Sequence, residues 1–557
     1  MRSNDDVGSD EFDWKLNFPT ARNSFDIFEV ADMIRRHKRQ ACISVARLAI
    51  ALLMLTLSTA TSSAAGERSK DERPNIVLIM ADDMGFSDVG CYGGEIKTPS
   101  IDGLAANGIR FTQFYNCAKC VPTRFSLLTG LYPHQSVPGQ SVTLAEVLQK
   151  AGYRTLMTGK WHGHEKLPTQ RGFDRFYGVT NGGCNFFNPG NQRPGEPVPA
   201  KDYGKVRPFA IDGKAIELYT PEDKNWYSTD AFTDYALDYL DQYAGEERPF
   251  FLYLAYTAPH HPLQAPEEEI AKYRGKYMQG WDVLREQRWS RLQELGIPGD
   301  NWKLSPRDVE APSWESVSNK KEWDLSMAVY AAMVDRMDQN IGRLLRKIEE
   351  LGEEQNTLVL FLSDNGACAE INNQTPDIPP GTMDSYRTYD VAWANAGDTP
   401  FRKFKRWTHE GGICTPLVVR WPQAIKQASI CRAPGHVMDL MPTFCELADA
   451  DYPQQWKDYD VTPCEGKSLT PLFRDGSRQP HELLCWEYNG KKAVRAGQWK
   501  LVGTGEPKEL HNWALYDLAA DRTEVNNVAQ QHPRLVERFA TAWQGWAKRT
   551  DWKPRED

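Results

Sequence analysis

Four times in this chain an apolar, β-rich run stops abruptly at polar residues: NIVLIMADD (75–83), YRTLMTGKWH (153–162), FFLYLAYTAPHH (250–261) and TLVLFLSDNG (357–366). Short apolar runs without polar alternation suit strands buried on both faces, as in a parallel sheet covered by helices. Helical patterns lie between them. Thr143 to Glu146 forms a capping box, after which Leu144, Val147, Leu148 and Ala151 make an apolar stripe closed by Gly152. Met333, Met337, Ile341, Leu344, Leu345 and Ile348 follow helical spacing up to Gly352, which makes these methionines core residues. Alternating strands and helices predict a doubly wound α/β domain, with ligands collecting at the carboxyl ends of the strands.

Length and charge narrow the rest. A chain of 557 residues exceeds one small core, so a large domain plus a smaller one is expected. After about residue 465 the texture changes to LLCWEY, KKAVRAGQWKLV and WALYDL between turn residues, which read as a small antiparallel sheet with PRLVERFATAWQGWAKR as a helix against it. Residues 265–325, rich in Trp, Pro and charge, read as an insertion at the rim of the site. With 66 basic against 75 acidic residues and no long basic block, nucleic acid is excluded as a partner. Eleven irregularly spaced cysteines do not make a disulfide scaffold.

Residues 1–65 read as a leader and signal peptide: a basic run Arg35 to Arg39, an apolar stretch, and small residues ending Ser63-Ala64-Ala65, with cleavage expected after about Ala65. The acidic leader ahead of the basic run points to Met33 as the true start. The apolar stretch is short and contains Arg47, so it predicts export, to the periplasm or outside the cell, and no stable membrane span after cleavage.

Taken singly, the polar strand ends have plain explanations: Asp82-Asp83 as a cap, Asp364-Asn365-Gly366 as a turn, His260-His261 as a structured loop, Lys160 as a surface charge. In parallel strands their termini converge on one face. That face presents three carboxylates and an amide oxygen from Asp82, Asp83, Asp364 and Asn365. An all-oxygen set suits a hard cation, calcium before magnesium in an exported protein. Lys160, His162, His260 and Lys405 (from FKRWTHEGG) would join it, and cations around a metal bind a tetrahedral oxyanion, sulfate or phosphate.

The stretch CAKCVPTRFSLLTG (117–130) poses a choice between a redox Cys117/Cys120 pair and a catalytic Cys120–Arg124 pair. Pro122 and Gly130 bracket a short helix with Cys120 at its N-terminus, where the backbone favours negative charge. No thioredoxin-like pattern surrounds the pair and no second C-x-x-C completes a zinc site, so the oxyanion hydrolase reading is preferred.

From Pro74 to about Leu501 the chain resembles the type I sulfatases, the arylsulfatase family of the alkaline phosphatase superfamily. RPNIVLIMADDMGFSDVGCYGG, CVPTRFSLLTGLYPHQ, GYRTLMTGKWH, APHHPLQAP, FLSDNGA, TPFRKFKRWTHEGGICTPLVVRWP and AVRAGQWKLV carry the resemblance, in order. It implies a large mixed, mostly parallel sheet sandwiched by helices in a catalytic domain over residues 72–465, with a smaller antiparallel sheet plus helix over 466–557. It also implies that a maturation enzyme converts Cys120 to formylglycine. The hydrated aldehyde would attack sulfur beside one Ca2+ held by Asp82, Asp83, Asp364, Asn365 and residue 120. Arg124 would hold the modified residue, Lys160 and Lys405 the sulfate oxygens. His260 would protonate the leaving oxygen, and His162 would deprotonate the second hydroxyl to expel sulfate. His261 is the competitor of His260, while His134 and His164 read as structural. Val121 and Thr123 depart from the commonest C-S/T-P-S-R form. The expected substrate is a sulfate monoester, with a sulfated carbohydrate as one physiological candidate. A phosphate or phosphonate ester hydrolase of the same superfamily, and an inactive protein that binds sulfated polymers, are the alternatives. The tract 181–188 and the aromatic insertion are candidates to line a subsite.

Overall fold

The computed structural model describes residues 71–163, 166–474, 476–504 and 512–554. The signal-peptide reading, the Met33 start and His164 lie outside the described residues. The first strand, β1 (Asn75–Ala81), has every residue buried, and so does β8 (Thr357–Ser363). Between them in sequence come β2 (Ile109–Tyr115), β3 (Arg154–Gly159), β4 (Arg175–Val179), β5 (Phe209–Ile211), β6 (Lys214–Ile216) and β7 (Phe250–Ala255). After β8 follow β9 (Cys414–Arg420), β10 (Ser429–Cys431) and β11 (Gly435–His436). All belong to one sheet, in the order β10-β2-β9-β8-β1-β7-β3-β4-β5-β6, with β11 also on β2. The four apolar runs read from sequence are the neighbours β8, β1, β7 and β3, and each pairs parallel with the next. Antiparallel pairing enters at β9, between β2 and β8, and at β5 and β6. The sheet is therefore mixed and mostly parallel.

Alternate residues of β1 feed two cores. Val77 and Ile79 pack with the long helix Lys320–Glu350 and with Ser228–Gln242, while Ile76 and Leu78 pack with Cys120–Thr129, Leu144–Lys150 and Leu440–Leu447. That two-sided burial is why these strands lack polar alternation. The capping box forms as expected, Thr143 Oγ1 accepting from Glu146 N at 3.1 Å, and the long helix buries Met333, Met337, Ile341 and Leu344.

A small sheet, β12 (Gln455–Trp456) with β13 (Tyr459–Asp460), precedes the C-terminal one. The latter is β14 (Leu484–Tyr488), β15 (Lys491–Ala496), β16 (Trp499–Thr504) and β17 (Trp513–Asp517), all antiparallel, with the helix Pro533–Arg549 against it. KKAVRAGQWKLV, read as one segment, is two strands, because Gly497 at a φ of 57° turns the chain between β15 and β16. The sheet is fastened to the larger one by Trp486, whose Nε1 donates to Asn116 O at 2.8 Å, and Trp543 Nε1 of the helix donates to Trp486 O at 3.0 Å.

The insertion differs from expectation. Its helix Trp281–Glu294 packs inward, with Trp281 fully buried against Trp314, Trp323 and Trp393. These indoles meet edge to face and belong to the same core as Val77, Ile79 and the long helix, where burial removes more apolar area from water than a rim would. Among the described residues no helix is long and apolar enough to cross a membrane.

Candidate active site

Each strand end delivers its polar residues to one place. Asp82 and Asp83 follow β1, Asp364 and Asn365 follow β8, His260 follows β7 by a short loop, and Lys160 follows β3. Gly159 makes the last of these turns possible: its φ is 100°, and a Cβ there would lie 1.9 Å from Ala255 O. Asp83 (φ 68°) and His162 (φ 46°) occupy the left-handed region without being glycine, local strain of the kind that concentrates at functional sites.

The carboxylates interlock with cations. Asp82 Oδ2 lies 2.5 Å from Lys160 Nζ, Asp83 Oδ2 lies 2.6 Å from Lys405 Nζ, and Asp364 Oδ2 accepts from Arg124 Nη2 at 2.8 Å. Asp83 Oδ2 also lies 3.3 Å from His260 Nε2, and Asp83 Oδ1 accepts from Asn365 Nδ2 at 2.7 Å. Asp82, Cys120 and Asp364 bring one ligand atom each to within 4.8 Å of one another. Two oxygens are left over. Asp82 Oδ1 and Asn365 Oδ1 are buried and accept no hydrogen bond. Unsatisfied buried acceptors are rare, and here they sit beside two further carboxylates. Burial and the neighbouring Asp82 push Asp364 up to about 7 against the pull of Arg124. Hard oxygen donors in negative surplus fit a divalent cation.

The helix Cys120–Thr129 carries the motif. Lys119 caps it in extended backbone, Pro122 sits in its first turn, and Gly130 closes it at a φ of 72°. Arg124 is buried, and its Nη1 donates to Lys160 O and to Tyr253 Oη, each at 3.2 Å. The two cysteines of the C-x-x-C part company. Cys120 joins the carboxylates, whereas Cys117 Sγ lies 3.9 Å from His436 Nε2. Burial pushes the Cys117 thiol up to about 12 and raises that of Cys120, so neither is poised as a thiolate. All ten described cysteines are free thiols.

Both histidines are held neutral. Burial, then Lys160 and Arg124, lower His162, whose Nδ1 makes no hydrogen bond. Burial outweighs Asp83 and drives His260 well below its ordinary range. His260 Nδ1 lies 2.6 Å from His261 O and Nε2 lies 3.4 Å from Lys405 Nζ, so Nδ1 carries the proton and Nε2 faces the site.

The structure thus gathers all ten residues expected from sequence, and adds others. Cys368 Sγ lies 3.5 Å from Lys405 Nζ and 3.8 Å from His261 Nδ1. Glu370 pairs with Lys119 at 2.7 Å and with Lys405 at 3.7 Å. Tyr253 anchors Arg124 from inside β7. Its position in an otherwise apolar strand was the one available signal, whereas Cys368 and Glu370 sit in an irregular segment with no pattern.

A family model described as Sulfatase matches residues 74–450. The chain belongs to the sulfatase family. A second model, N-sulphoglucosamine sulphohydrolase, C-terminal, matches residues 401–540 of this sulfatase. An uncharacterized sulfatase of Schizosaccharomyces pombe is 34% identical over 528 residues, covering 86% of this chain and 94% of the relative. An arylsulfatase of Klebsiella aerogenes is 32% identical, covering 72% and 93%. The crystal structure of Ps i-CgsB in complex with k-i-k-neocarrahexaose is 26% identical with a TM-score of 0.61, covering 85% of this chain and 93% of that one. The protein is accordingly a type I sulfatase of the alkaline phosphatase superfamily, a hydrolase of sulfate esters, with the mixed sheet and separate C-terminal sheet expected of that fold.

Proposed function

We propose that this sulfatase works through a formylglycine at position 120, made from Cys120 by a maturation enzyme, beside one Ca2+, with Mg2+ the less suited ion. The observation that carries this is the pair of unpartnered oxygens, Asp82 Oδ1 and Asn365 Oδ1, beside Asp83, Asp364 and Cys120. Asp82, Asp83, Asp364, Asn365 and residue 120 would hold the cation, which when bound supplies Lewis acidity toward a hydroxyl of the hydrated aldehyde.

The chain's own groups supply the remainder. Arg124, fixed by Tyr253 and Asp364, orients residue 120. Lys160 and Lys405 bind sulfate oxygens in place of the carboxylates they now touch. His260 donates its proton to the leaving oxygen. An anion seated between Lys405 and His260 raises the proton affinity that burial depresses, so the acid is charged with substrate present. His162, neutral and with Nδ1 unengaged, takes the proton whose loss releases sulfate. An alkoxide needs a proton more than a phenoxide does, so His260→Ala is expected to lower turnover of alkyl sulfates by about 10²–10⁴-fold and of activated aryl sulfates by much less. Equal losses on both would remove His260 from that role.

The physiological substrate is read as a sulfated carbohydrate met after export, a reading supported by the oligosaccharide complex of Ps i-CgsB. The deciding experiment is mass spectrometry of the peptide spanning residue 120 in active protein, alongside assays with 4-nitrophenyl sulfate and 4-nitrophenyl phosphate. Aldehyde in place of thiol, with sulfate preferred, is the expected result. Unmodified Cys120 in active enzyme would overturn it.

A further inference from the structure

The two strand ends that carry the expected cation ligands are tied to each other by their own residues. Asp83 N donates to Asp364 Oδ1 at 3.1 Å, and Ser363 Oγ accepts from Met84 N at 3.0 Å while donating to Asn365 O at 2.9 Å. A third segment grips both. The helix Asp390–Gly397 ends at Asp398, whose side chain is fully buried. Asp398 Oδ1 accepts from Phe86 N at 3.3 Å, in the loop that follows Asp82 and Asp83, and from Ala367 N at 3.2 Å, in the loop that follows Asp364 and Asn365. Its Oδ2 accepts from Ala367 N at 3.1 Å. Among the described residues no cation pairs with Asp398, so its acceptors are spent on main-chain donors of the two ligand loops.

Each loop carries a glycine that lets this segment come close. A Cβ on Gly85 would lie 2.4 Å from Gly397 C, and one on Gly366 would lie 3.0 Å from Asp398 Oδ1. The segment runs on to Lys405, whose N donates to Ala367 O at 3.1 Å. Both main-chain groups of Ala367 are therefore held by residues 398–405, and one stretch of chain registers the β1 loop, the β8 loop and a lysine expected to seat the ester.

We infer that Asp398 is a positioning residue for the cation, acting through the loops that bear Asp82, Asp83, Asp364 and Asn365 and not as a ligand itself. The inference rests on the cation site proposed above. It adds to that site a clasp that sets the spacing between the donors of β1 and those of β8.

The matched control is Asp338. It too is a buried carboxylate that accepts from two main-chain N–H groups, Ser100 N at 3.0 Å and Ile101 N at 2.8 Å, but in the first turn of the helix Pro99–Ala106. Ca2+ is titrated calorimetrically into the chelator-treated full chain with no substrate present. Asp398→Ala is expected to raise the Ca2+ dissociation constant about 10–100-fold, and Asp398→Asn to raise it less, because the amide keeps one acceptor oxygen. Asp338→Ala should lower the melting temperature yet leave the dissociation constant within about twofold of wild type. If either alanine variant does not fold, Asp398→Asn against Asp338→Asn makes the same comparison. A wild-type dissociation constant in the Asp398 variants overturns the clasp. An equal rise in the Asp338 variant overturns it as well, by making the effect a general loss of stability. Wild-type protein that binds no Ca2+ defeats the underlying cation site instead, and the clasp with it.

Discussion

At the strand ends Asp82, Asp83 and Asp364 face Arg124, Lys160 and Lys405; beneath the C-terminal sheet Glu410 and Glu524 face Lys500 and Arg522. All ten side chains are buried. In the second cluster every carboxylate oxygen lies within 3.0 Å of a donor atom, although Glu524 Oε1 is held by its ion pair with Lys500 alone and accepts no hydrogen bond. Glu410 Oε1 meets Lys500 Nζ at 2.6 Å, Oε2 meets Tyr115 Oη at 3.0 Å as well as Arg522, and Glu524 meets Lys500 Nζ and Glu410 N at 2.8 Å each. In the first, Asp82 Oδ1 accepts no hydrogen bond and has Arg124 only at 3.9 Å. One cluster is closed by its own ion pairs and ties the C-terminal sheet down. The other is complete only when something binds, and adding a divalent cation to three balanced charges leaves it positive, as an anionic ester requires.

The sharpest way to break this comparison is to neutralise one carboxylate in each cluster. Asp364→Asn is expected to lower sulfatase turnover by at least about 10³-fold while unfolding free energy stays within about 1 kcal/mol, because Arg124 keeps an acceptor and a buried charge is lost. Glu410→Gln should do the reverse, costing about 3–5 kcal/mol in a denaturant titration by leaving the buried Arg522 without its carboxylate while Lys500 keeps only Glu524, with activity per folded molecule retained. Similar stability losses in both variants would erase the distinction.

The strand-end half of this contrast was legible in the sequence because parallel strands force their carboxyl ends together, so four unrelated tripeptides became one site once the strands were read. The C-terminal half was not. Glu410 lies inside the THEGG segment quoted for its family likeness, yet its partners Lys500 and Arg522 come from a strand and a loop about a hundred residues on, and nothing local marks them as charges to be buried. Cys368 and Glu370 were missed for the same reason: irregular segments carry no periodicity. The tryptophans around Trp281 misled because composition reports aromatic content without saying which way the rings face.

Removing metal offers a finer test. Chelation is expected to lower stability by about 2.7 kcal/mol relative to protein in calcium at a hundred times its dissociation constant, and Asp364→Asn should abolish most of that difference while Glu410→Gln leaves it intact. The smallest effect belongs to His436, next to Cys117. Burial holds His436 down at about 3 in the fold, so between that value and the ordinary 6.5 the unfolded chain binds the proton and the folded chain does not. Stability then falls as pH falls, by about 1.4 kcal/mol per unit below 6.5 for this residue. His436→Gln should flatten that slope in the C-terminal attachment and leave the strand-end site untouched.

The strand order sets a clock. Cys120 is 2% exposed in the finished fold, but the pocket that hides it needs Asp364 and the strand β8 that carries it, 244 residues further along the chain (364 minus 120). A ribosome adding about 5–20 residues per second takes roughly 12–50 s to cover that distance. Throughout that interval the thiol is part of an unfinished site, open to any enzyme that would alter it, and afterwards the sheet itself closes the door.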